Sequence, residues 1–384
     1  MNYNFEFKEY NPNVKFQIEH IDEKLFGRGG TLHINGKKVE TPVLWLGHVM
    51  GGSPHPWKEF KMDSLIVNAY DILRNKKALK TICEKGIHNY LDFKGSVLMD
   101  SGGFLFQKKN EIDVDPSLIS DLYERSRPDL GVILDHPFNP AESDSNNRYR
   151  WDNTLKNTKI MLSRNGKTAL MPVLHGYDLG ELKKACEDIK KVSNPQIIGI
   201  GSLVPLLFRT PGTKRFKNPI NYVIDAIRLV RTEFPNSFLH AFGVGSTKTM
   251  HLMYALGVDS IDSSGWRIKA AYGIIQLPGV SDRHVKSRNN GRRFLNKEEM
   301  KVLEKCQCPV CKNLTIEERV ECLDEEFKAR ALHNSWVFVN EQKKFKKMIK
   351  EHNSEQLVSN RLDNGKFSKV YRYMLEKKID VKGY

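Results

Sequence analysis

The sequence predicts an α/β fold, a (β/α)8 TIM barrel with an N-terminal β-hairpin ahead of it and a small cysteine-bearing lobe behind it. Eight short apolar runs alternate with helical patterns between residues 43 and 280, the order expected of parallel βα units. Polar residues or glycine stand at or just after most of those runs: Asn68, Asp100, Asp135, His175, Ser202, Gly243 and Asp262. A closed barrel gathers its strand ends around one mouth, where chemistry is placed; an open doubly wound sheet spreads them along an edge. The barrel therefore accounts for the pattern better.

The elements follow in order. Thr31 to Ile34 and Lys38 to Pro42 flank Asn35-Gly36, a pair that takes the positive φ of a tight hairpin turn. The eight strands are then Val43–Leu46, Leu65–Val67, Val97–Met99, Val132–Leu134, Leu170–Leu174, Ile197–Ile200, Phe238–Phe242 and Ser260–Ile261. Asp115-Pro116 caps and opens a helix carrying Leu118, Ile119 and Leu122. Leu182, Cys186 and Ile189 keep helical spacing. Asn218-Pro219 opens a helix with Ile220, Val223, Ile224 and Ile227, and Ser246 caps one with Met250, Met253 and Tyr254. The expected divisions are residues 1–42 (extension and hairpin), 43–280 (barrel), 281–340 (cysteine lobe) and 341–384 (basic helical tail).

The 384 residues are 40% hydrophobic and 28% charged, too apolar for disorder and too polar for a membrane protein. No apolar run reaches the roughly 18–20 residues of a membrane helix, and Met1 to Asn13 lacks a signal-peptide layout. The expectation is a soluble cytoplasmic protein of a bacterial or phage-infected cell, with no membrane partner. Lys plus Arg (61) exceeds Asp plus Glu (46) by 15, which favours a polyanionic partner such as nucleic acid. The charge concentrates late, in Arg283, Lys286, Arg288, Arg292 and Arg293, and again in Lys343-Lys344-Phe345-Lys346-Lys347.

Four of the six cysteines lie between Cys306 and Cys322. Cys306-Gln-Cys308-Pro-Val-Cys311 offers three thiolates within six residues, a pattern that reads as one structural Zn2+ ion with no open position. From spacing alone the fourth ligand is either Cys322 or His333.

Three apolar strands run into carboxylates: Asp100, followed by Ser-Gly-Gly103-Phe104; Asp135; and Asp262. A pair of facing carboxylates suits glycosidic chemistry, one attacking the anomeric carbon and the other handling the leaving group's proton. The chain has no GxxxxGKS phosphate loop and no dinucleotide GxGxxG in context, so neither ATP-driven nor hydride chemistry has support.

Taken together these motifs resemble the tRNA-guanine transglycosylase superfamily. The likeness lies in Gly27-Arg-Gly-Gly-Thr with Val39-Glu-Thr-Pro42, in Asp100-Ser-Gly-Gly-Phe104, in Gly199-Ile-Gly-Ser-Leu-Val-Pro205, in Gly257-Val-Asp-Ser-Ile-Asp262, and in Cys306-x-Cys-x-x-Cys311 with Leu332-His333-Asn334. It spans about residues 26 to 340 in one order. The resemblance implies Asp262 as nucleophile, Asp100 as general acid/base, and Asp135 reading the purine's amino and ring-nitrogen edge. It implies Phe104 and Phe242 as a sandwich for the base, with backbone contacts from Gly201, Ser202 and Leu203. His175 stands where members usually carry a base-reading glutamine. The resemblance also implies Cys306, Cys308, Cys311 and His333 as the zinc ligands.

Two departures shape the expected substrate. After Asp262 the chain reads Ser263-Ser-Gly-Trp266-Arg267-Ile-Lys269 in place of the basic loop of bacterial tRNA enzymes, and it ends soon after the cysteine lobe. That pattern is similar to the 7-deazaguanine DNA-modification protein A branch. The expectation is therefore exchange of guanine in DNA for free 7-cyano-7-deazaguanine (preQ0), through a covalent Asp262–deoxyribosyl ester. Arg267, Lys269, Arg283, Lys286, Arg288, Arg292 and Arg293 are the expected nucleic-acid contacts. A helicase or ATPase partner to open the duplex, and a homodimer, fit this scheme. The alternatives are a tRNA-guanine transglycosylase of the queuosine or archaeosine type and a non-catalytic zinc-containing nucleic-acid-binding subunit; loss of a barrel carboxylate would mark the latter, and both are present.

Overall fold

The structure is a computed structural model. It describes residues 14–379 apart from 23, 110, 112, 165, 209–212, 214–215, 287–292 and 364–366. A three-stranded antiparallel sheet comes first: β1 (Val14–Ile21), β2 (Arg28–Ile34) and β3 (Lys37–Glu40), with Asn35 and Gly36 at positive φ in the β2–β3 turn. Nine parallel segments follow: β4 (Val43–Gly47), β5 (Ser64–Asn68), β6 (Ser96–Asp100), β7 (Leu130–Val132), β8 (Ala169–Met171), β9 (Val173–Leu174), β10 (Ile197–Ile200), β11 (Phe238–Ala241) and β12 (Ser260–Ser263).

Their order is β8-β7-β6-β5-β4-β12-β11-β10-β9. The two outermost segments, β8 and β9, are consecutive pieces of one stave interrupted at Pro172, which has no N–H for the ladder. β8 pairs with β7 and β9 with β10, so the two halves of that stave close the sheet into an eight-stave barrel. The eight expected strands are all present. The fourth ladders over 130–132, two residues earlier than expected, and Ile133 still donates to the Met171 carbonyl at 3.1 Å as it leaves the sheet.

Strand alternation decides what faces the barrel axis, because successive side chains point to opposite faces. Val43, Trp45, Ile66, Leu98, Val173, Ile197 and Phe238 share one core cluster with Phe16, Leu32 and Ile34 of the first sheet. Leu44, Leu46, Leu65, Val67, Val97, Met99, Ile198, Ile200 and Ile261 belong to a second cluster, with the surrounding helices. The first sheet thus closes the barrel interior from below. Continued by twos, the inward positions include Asn68, Asp100, His175, Gly201, His240, Phe242 and Asp262.

Asp259, buried at the foot of β12, fastens the closing sheet. Its carboxylate receives Arg28 Nε (2.8 Å) and Nη2 (2.7 Å), Arg231 Nη2 (2.8 Å) and the Leu239 N–H (2.7 Å). The expected helices are found, with Asp115 accepting from Ser117 N at 2.8 Å and Ser246 Oγ from Thr249 N at 3.0 Å.

Past the barrel, Ile275, Leu277, Val285, Leu303, Cys308, Cys311 and Leu323 form a separate small core. Its helices Lys297–Glu304 and Ile316–Glu325 both start with capping boxes, Asn296 with Glu299 and Thr315 with Glu318. Helix Phe327–Lys350 then returns to the barrel, burying Phe338, Val339, Phe345 and Ile349 in the outer core. No helix among the described residues is long and apolar enough to cross a membrane.

Candidate active site

Asp100 ends β6 and Asn68 ends β5, directly opposite each other in the ladder. Asn68 Nδ2 donates to Asp100 Oδ2 at 2.6 Å, while its Oδ1 caps the next helix through Tyr70 N at 2.9 Å. The amide is thereby fixed at both ends. Burial pushes the Asp100 carboxyl up to about 8, and the charges of Asp135 and Asp262 add to the effect; the N–H groups of Gly102 and Ser101 offset only part of it. Gly102 has φ +87°, and a Cβ there would press on Tyr70 and Asn68, so the turn after the carboxylate requires glycine.

Asp262 lies on β12 beside Trp45. Its Oδ1 accepts the Gly243 N–H at 2.5 Å and has His240 Nε2 at 3.4 Å. Gly243 also has positive φ (70°), which bends the chain after Phe242 so that its N–H meets the carboxylate. The His240 ring is fully buried, with Nδ1 2.7 Å from Ser260 Oγ and its centroid 4.2 Å from that of Phe242.

Asp135 follows β7 and is 8% exposed. Its Oδ2 lies 3.0 Å from His175 Nε2 and its Oδ1 3.3 Å from Ser101 Oγ. His175 Nδ1 lies 2.9 Å from Ser202 Oγ, and that oxygen accepts the Phe138 N–H at 2.8 Å. Glycines make room for the rings: a Cβ at Gly199 would stand 2.5 Å from Phe242 Cε2, and one at Gly201 would stand 2.5 Å from His175 Cε1.

The three carboxylates are thus brought to one mouth, where their charges act on each other. Phe242 is half-buried there, and Phe104 is 61% exposed at its rim. Leu203 is buried in the outer core, and its carbonyl is taken by the N–H groups of Leu206 and Leu207. The Gly201 N–H is given to the Leu174 carbonyl. Asn68, Ser101 and His240 complete the mouth and were not among the expected site residues. Period-two counting back from Phe242 turns His240 inward, and Asn68, itself a polar residue at a strand end, shares the inward face with its ladder partner Asp100.

Most of the expected nucleic-acid contacts have internal partners. Arg267 donates to the Ser53 carbonyl at 3.3 Å and lies over the Phe327 ring. Lys269 meets Asp282 at 2.6 Å, Arg283 makes a two-pronged pair with Glu299 (2.7 and 2.8 Å), and Lys286 lies 3.9 Å from Glu325. Arg293 is exposed and lines a cleft of about 460 Å³ with Lys248, Lys269, His284 and Phe208. Arg288 and Arg292 lie outside the described residues.

Behind the mouth, Cys306, Cys308, Cys311 and His333 bring four ligand atoms within 4.8 Å of one another. His333 Nδ1 is 3.6 Å from each sulfur, and its Nε2 is 2.9 Å from the Gln276 carbonyl. A proton on Nε2, donated to that carbonyl, leaves the Nδ1 lone pair facing the sulfurs, as a ligand requires. Hydrogen bonds from Cys308 and Cys311 hold the Cys306 thiol well below its usual range, and bonds to Cys306 and Cys308 raise that of Cys311. Cys322 is not in the cluster. Three sulfurs and one nitrogen in a closed arrangement fit a tetrahedral metal ion.

The site thus combines a mouth of three carboxylates on a (β/α)8 barrel with a Cys3His cluster. The family model described as "Queuine tRNA-ribosyltransferase" matches residues 22–366, and the chain belongs to that family. A relative from Pyrococcus furiosus, named tRNA-guanine(15) transglycosylase, is 30% identical over 94% of this chain and 59% of its own length. Relatives of the same name from Methanocaldococcus jannaschii (29% identical; 96% and 54%) and Methanococcus maripaludis (32%; 90% and 52%) are similar. The chain spans between half and three-fifths of the length of these relatives.

These names correct the expectation of a DNA-modifying enzyme, since they favour the tRNA alternative. One of the two departures behind that expectation also has a packing explanation. Trp266 is 1% exposed and donates from Nε1 to the Gly47 carbonyl at 3.0 Å. Trp266 thus anchors the segment after Asp262 to the barrel, a packing role that does not depend on which sugar is bound.

Proposed function

We propose that this chain carries out base exchange on tRNA: guanine leaves a nucleotide and a free 7-deazaguanine takes its place through a covalent Asp262–ribosyl ester. The observation that carries the reading is the pairing of a carboxyl raised to about 8, Asp100, with a second carboxylate, Asp262, whose charge reaches it. Two carboxyl groups in different environments at one sugar supply an acid and a nucleophile.

In the first half, a target guanosine leaves the stack and enters the mouth, at a cost of a few kcal/mol. Stacking on Phe242, with Phe104 free to close from the rim, offsets part of that cost. Asp262 Oδ1 is held by Gly243, so Oδ2 is the oxygen assigned to attack C1′. The C1′–N9 bond breaks, its electron pair goes to the purine, and protonated Asp100 supplies the proton. In the second half, the incoming base gives its N9 proton to Asp100, attacks C1′, and releases the Asp262 carboxylate. Two inversions give net retention.

Asp135 accepts from the amino group and ring N–H of the base. Cys306, Cys308, Cys311 and His333 would hold zinc, whose role is to fix the C-terminal lobe. The cleft containing Arg293 and Lys248 is the assigned path for phosphates.

Incorporation of labelled guanine into tRNA and DNA, compared side by side, tests the reading. Label entering tRNA and lost in Asp262→Ala supports it; label entering DNA alone, or an active Asp262→Ala, overturns it.

A further inference from the structure

The side chain at 175 is buried at 1% exposure, and it meets polar atoms on two sides: Asp135 Oδ2 at 3.0 Å from Nε2 and Ser202 Oγ at 2.9 Å from Nδ1. Its ring lies against Phe138, with centroids 5.6 Å apart and planes 20° from parallel. On another side the ring rests on Gly201, where any Cβ would collide with it. The imidazole is clamped in one orientation.

For the neutral ring, hydrogen counting chooses one tautomer. Ser202 Oγ accepts the Phe138 N–H, which leaves its single proton free for Nδ1. Nε2 then carries the ring hydrogen and donates it to Asp135. The opposite tautomer would set a nitrogen lone pair against a carboxylate oxygen at 3.0 Å, an arrangement of two acceptors. Ser202 holds φ +62° to complete this chain, a backbone region that residues other than glycine rarely occupy. The chain Phe138 N–H, Ser202, His175 and Asp135 has the components of a Ser-His-Asp triad. It lacks the role of one, because the serine oxygen is already an acceptor and the carboxylate belongs to the mouth.

We infer that His175 is a positioning residue for base recognition: it does not read the base itself but holds the Asp135 carboxylate, as its Nε2–H tautomer, in the orientation that selects a purine bearing both an amino group and a ring N–H. This inference rests on the proposed base exchange and specifies how the incoming base is chosen. Glutamine could satisfy both ends of the same chain, donating to Asp135 from its amide nitrogen and accepting from Ser202 at its oxygen.

Equilibrium binding of guanine and of hypoxanthine, which lacks the amino group, tests the inference without turnover, alongside labelled exchange. Wild type is expected to prefer guanine. His175→Phe keeps the ring and loses both nitrogens; guanine binding should weaken about 10–100-fold, the range for a lost hydrogen bond to a charged group, and hypoxanthine binding should change less than threefold. His175→Gln should restore guanine binding to within about threefold of wild type. In exchange, the His175→Phe defect should fall on KM for the base more than on KM for tRNA.

Guanine binding unchanged in His175→Phe, or equal losses for both purines in a variant with wild-type melting, overturns the inference. So does failure of folded His175→Gln to rescue, or a wild type that does not prefer guanine. Preferential guanine binding that depends on His175, together with no exchange into tRNA, would sink the proposed reaction while supporting the inference.

Discussion

His240 Nε2 stands 3.4 Å from Asp262 Oδ1, inside a barrel that leaves the imidazole no exposure to solvent. At that separation it is an electrostatic contact and not a hydrogen bond, and the nitrogen has no hydrogen-bond partner among the described residues. Ser260 holds the ring from the other side at 2.7 Å. The Asp262 carboxylate thus has a good donor, Gly243 N–H, and a polar edge held slightly too far away.

That edge should matter to the chemical step and not to base affinity. His240→Leu is expected to lower kcat for exchange about tenfold, the worth of roughly 1.4 kcal/mol, with guanine affinity within about twofold of wild type. Single-turnover rates and guanine binding on the same variant check the separation.

Asp100 gives a pH prediction. As the proposed general acid, with its carboxyl raised to about 8, it should support the first half-reaction below that pH and fail as pH rises through it. Asp135→Asn removes one of the charges that raise Asp100, so the alkaline limb should move to lower pH. Single-turnover pH profiles of wild type and Asp135→Asn read this directly.

The same shift affects stability. The unfolded carboxyl titrates near 3.8 and the folded one near 8, so between these values the native state holds more protons. Stability from this group is complete below about 4 and is lost as pH rises through 8. Asp100→Asn should therefore raise the melting temperature relative to wild type by more at pH 9 than at pH 5. Thermal melts at the two pH values check the sign.

The Asp259 network predicts a stability defect at a distance from the chemistry. Asp259→Ala would leave Arg28 and Arg231 buried without their carboxylate, a loss of about 3–5 kcal/mol. Denaturant unfolding should show it, and exchange measured well below the melting temperature should survive.

For the cysteine cluster, elemental analysis should find one zinc per chain in wild type and Cys322→Ser, and none in His333→Ala. Complete chelation should lower the melting temperature, because ligand binding free energy is folding free energy in such sites.

The barrel was legible because its strands are short, apolar and regularly spaced, and because alternation turns Asp100 and Asp262 the same way as Leu98 and Ser260. β1 was not foreseen, although Val14, Phe16 and Ile18 alternate; a single such strand has no local turn to announce its partner, which β2 supplies. The split at Pro172 could not be read as barrel closure without the pairing on both sides. Four cysteines left two choices for the metal ligands, and only the turn of helix Phe327–Lys350 brings His333 to the sulfurs. The basic stretch was the least legible part. Lysine and arginine counts carry no information about which cations are spent on Glu299, Asp282 or Glu325. The resemblance pointed to the Ser202 backbone and gave no sign of its hydroxyl, which links His175 to the Phe138 N–H.

The most direct test of the account is capture of the covalent intermediate. Guanine-bearing tRNA incubated with the chain and quenched in denaturant should give a protein–RNA adduct that migrates as one species, requires Asp262, and is lost when free base is added before the quench. An adduct that persists in Asp262→Ala, or labelled exchange with no Asp262-dependent adduct under any quench, would contradict it.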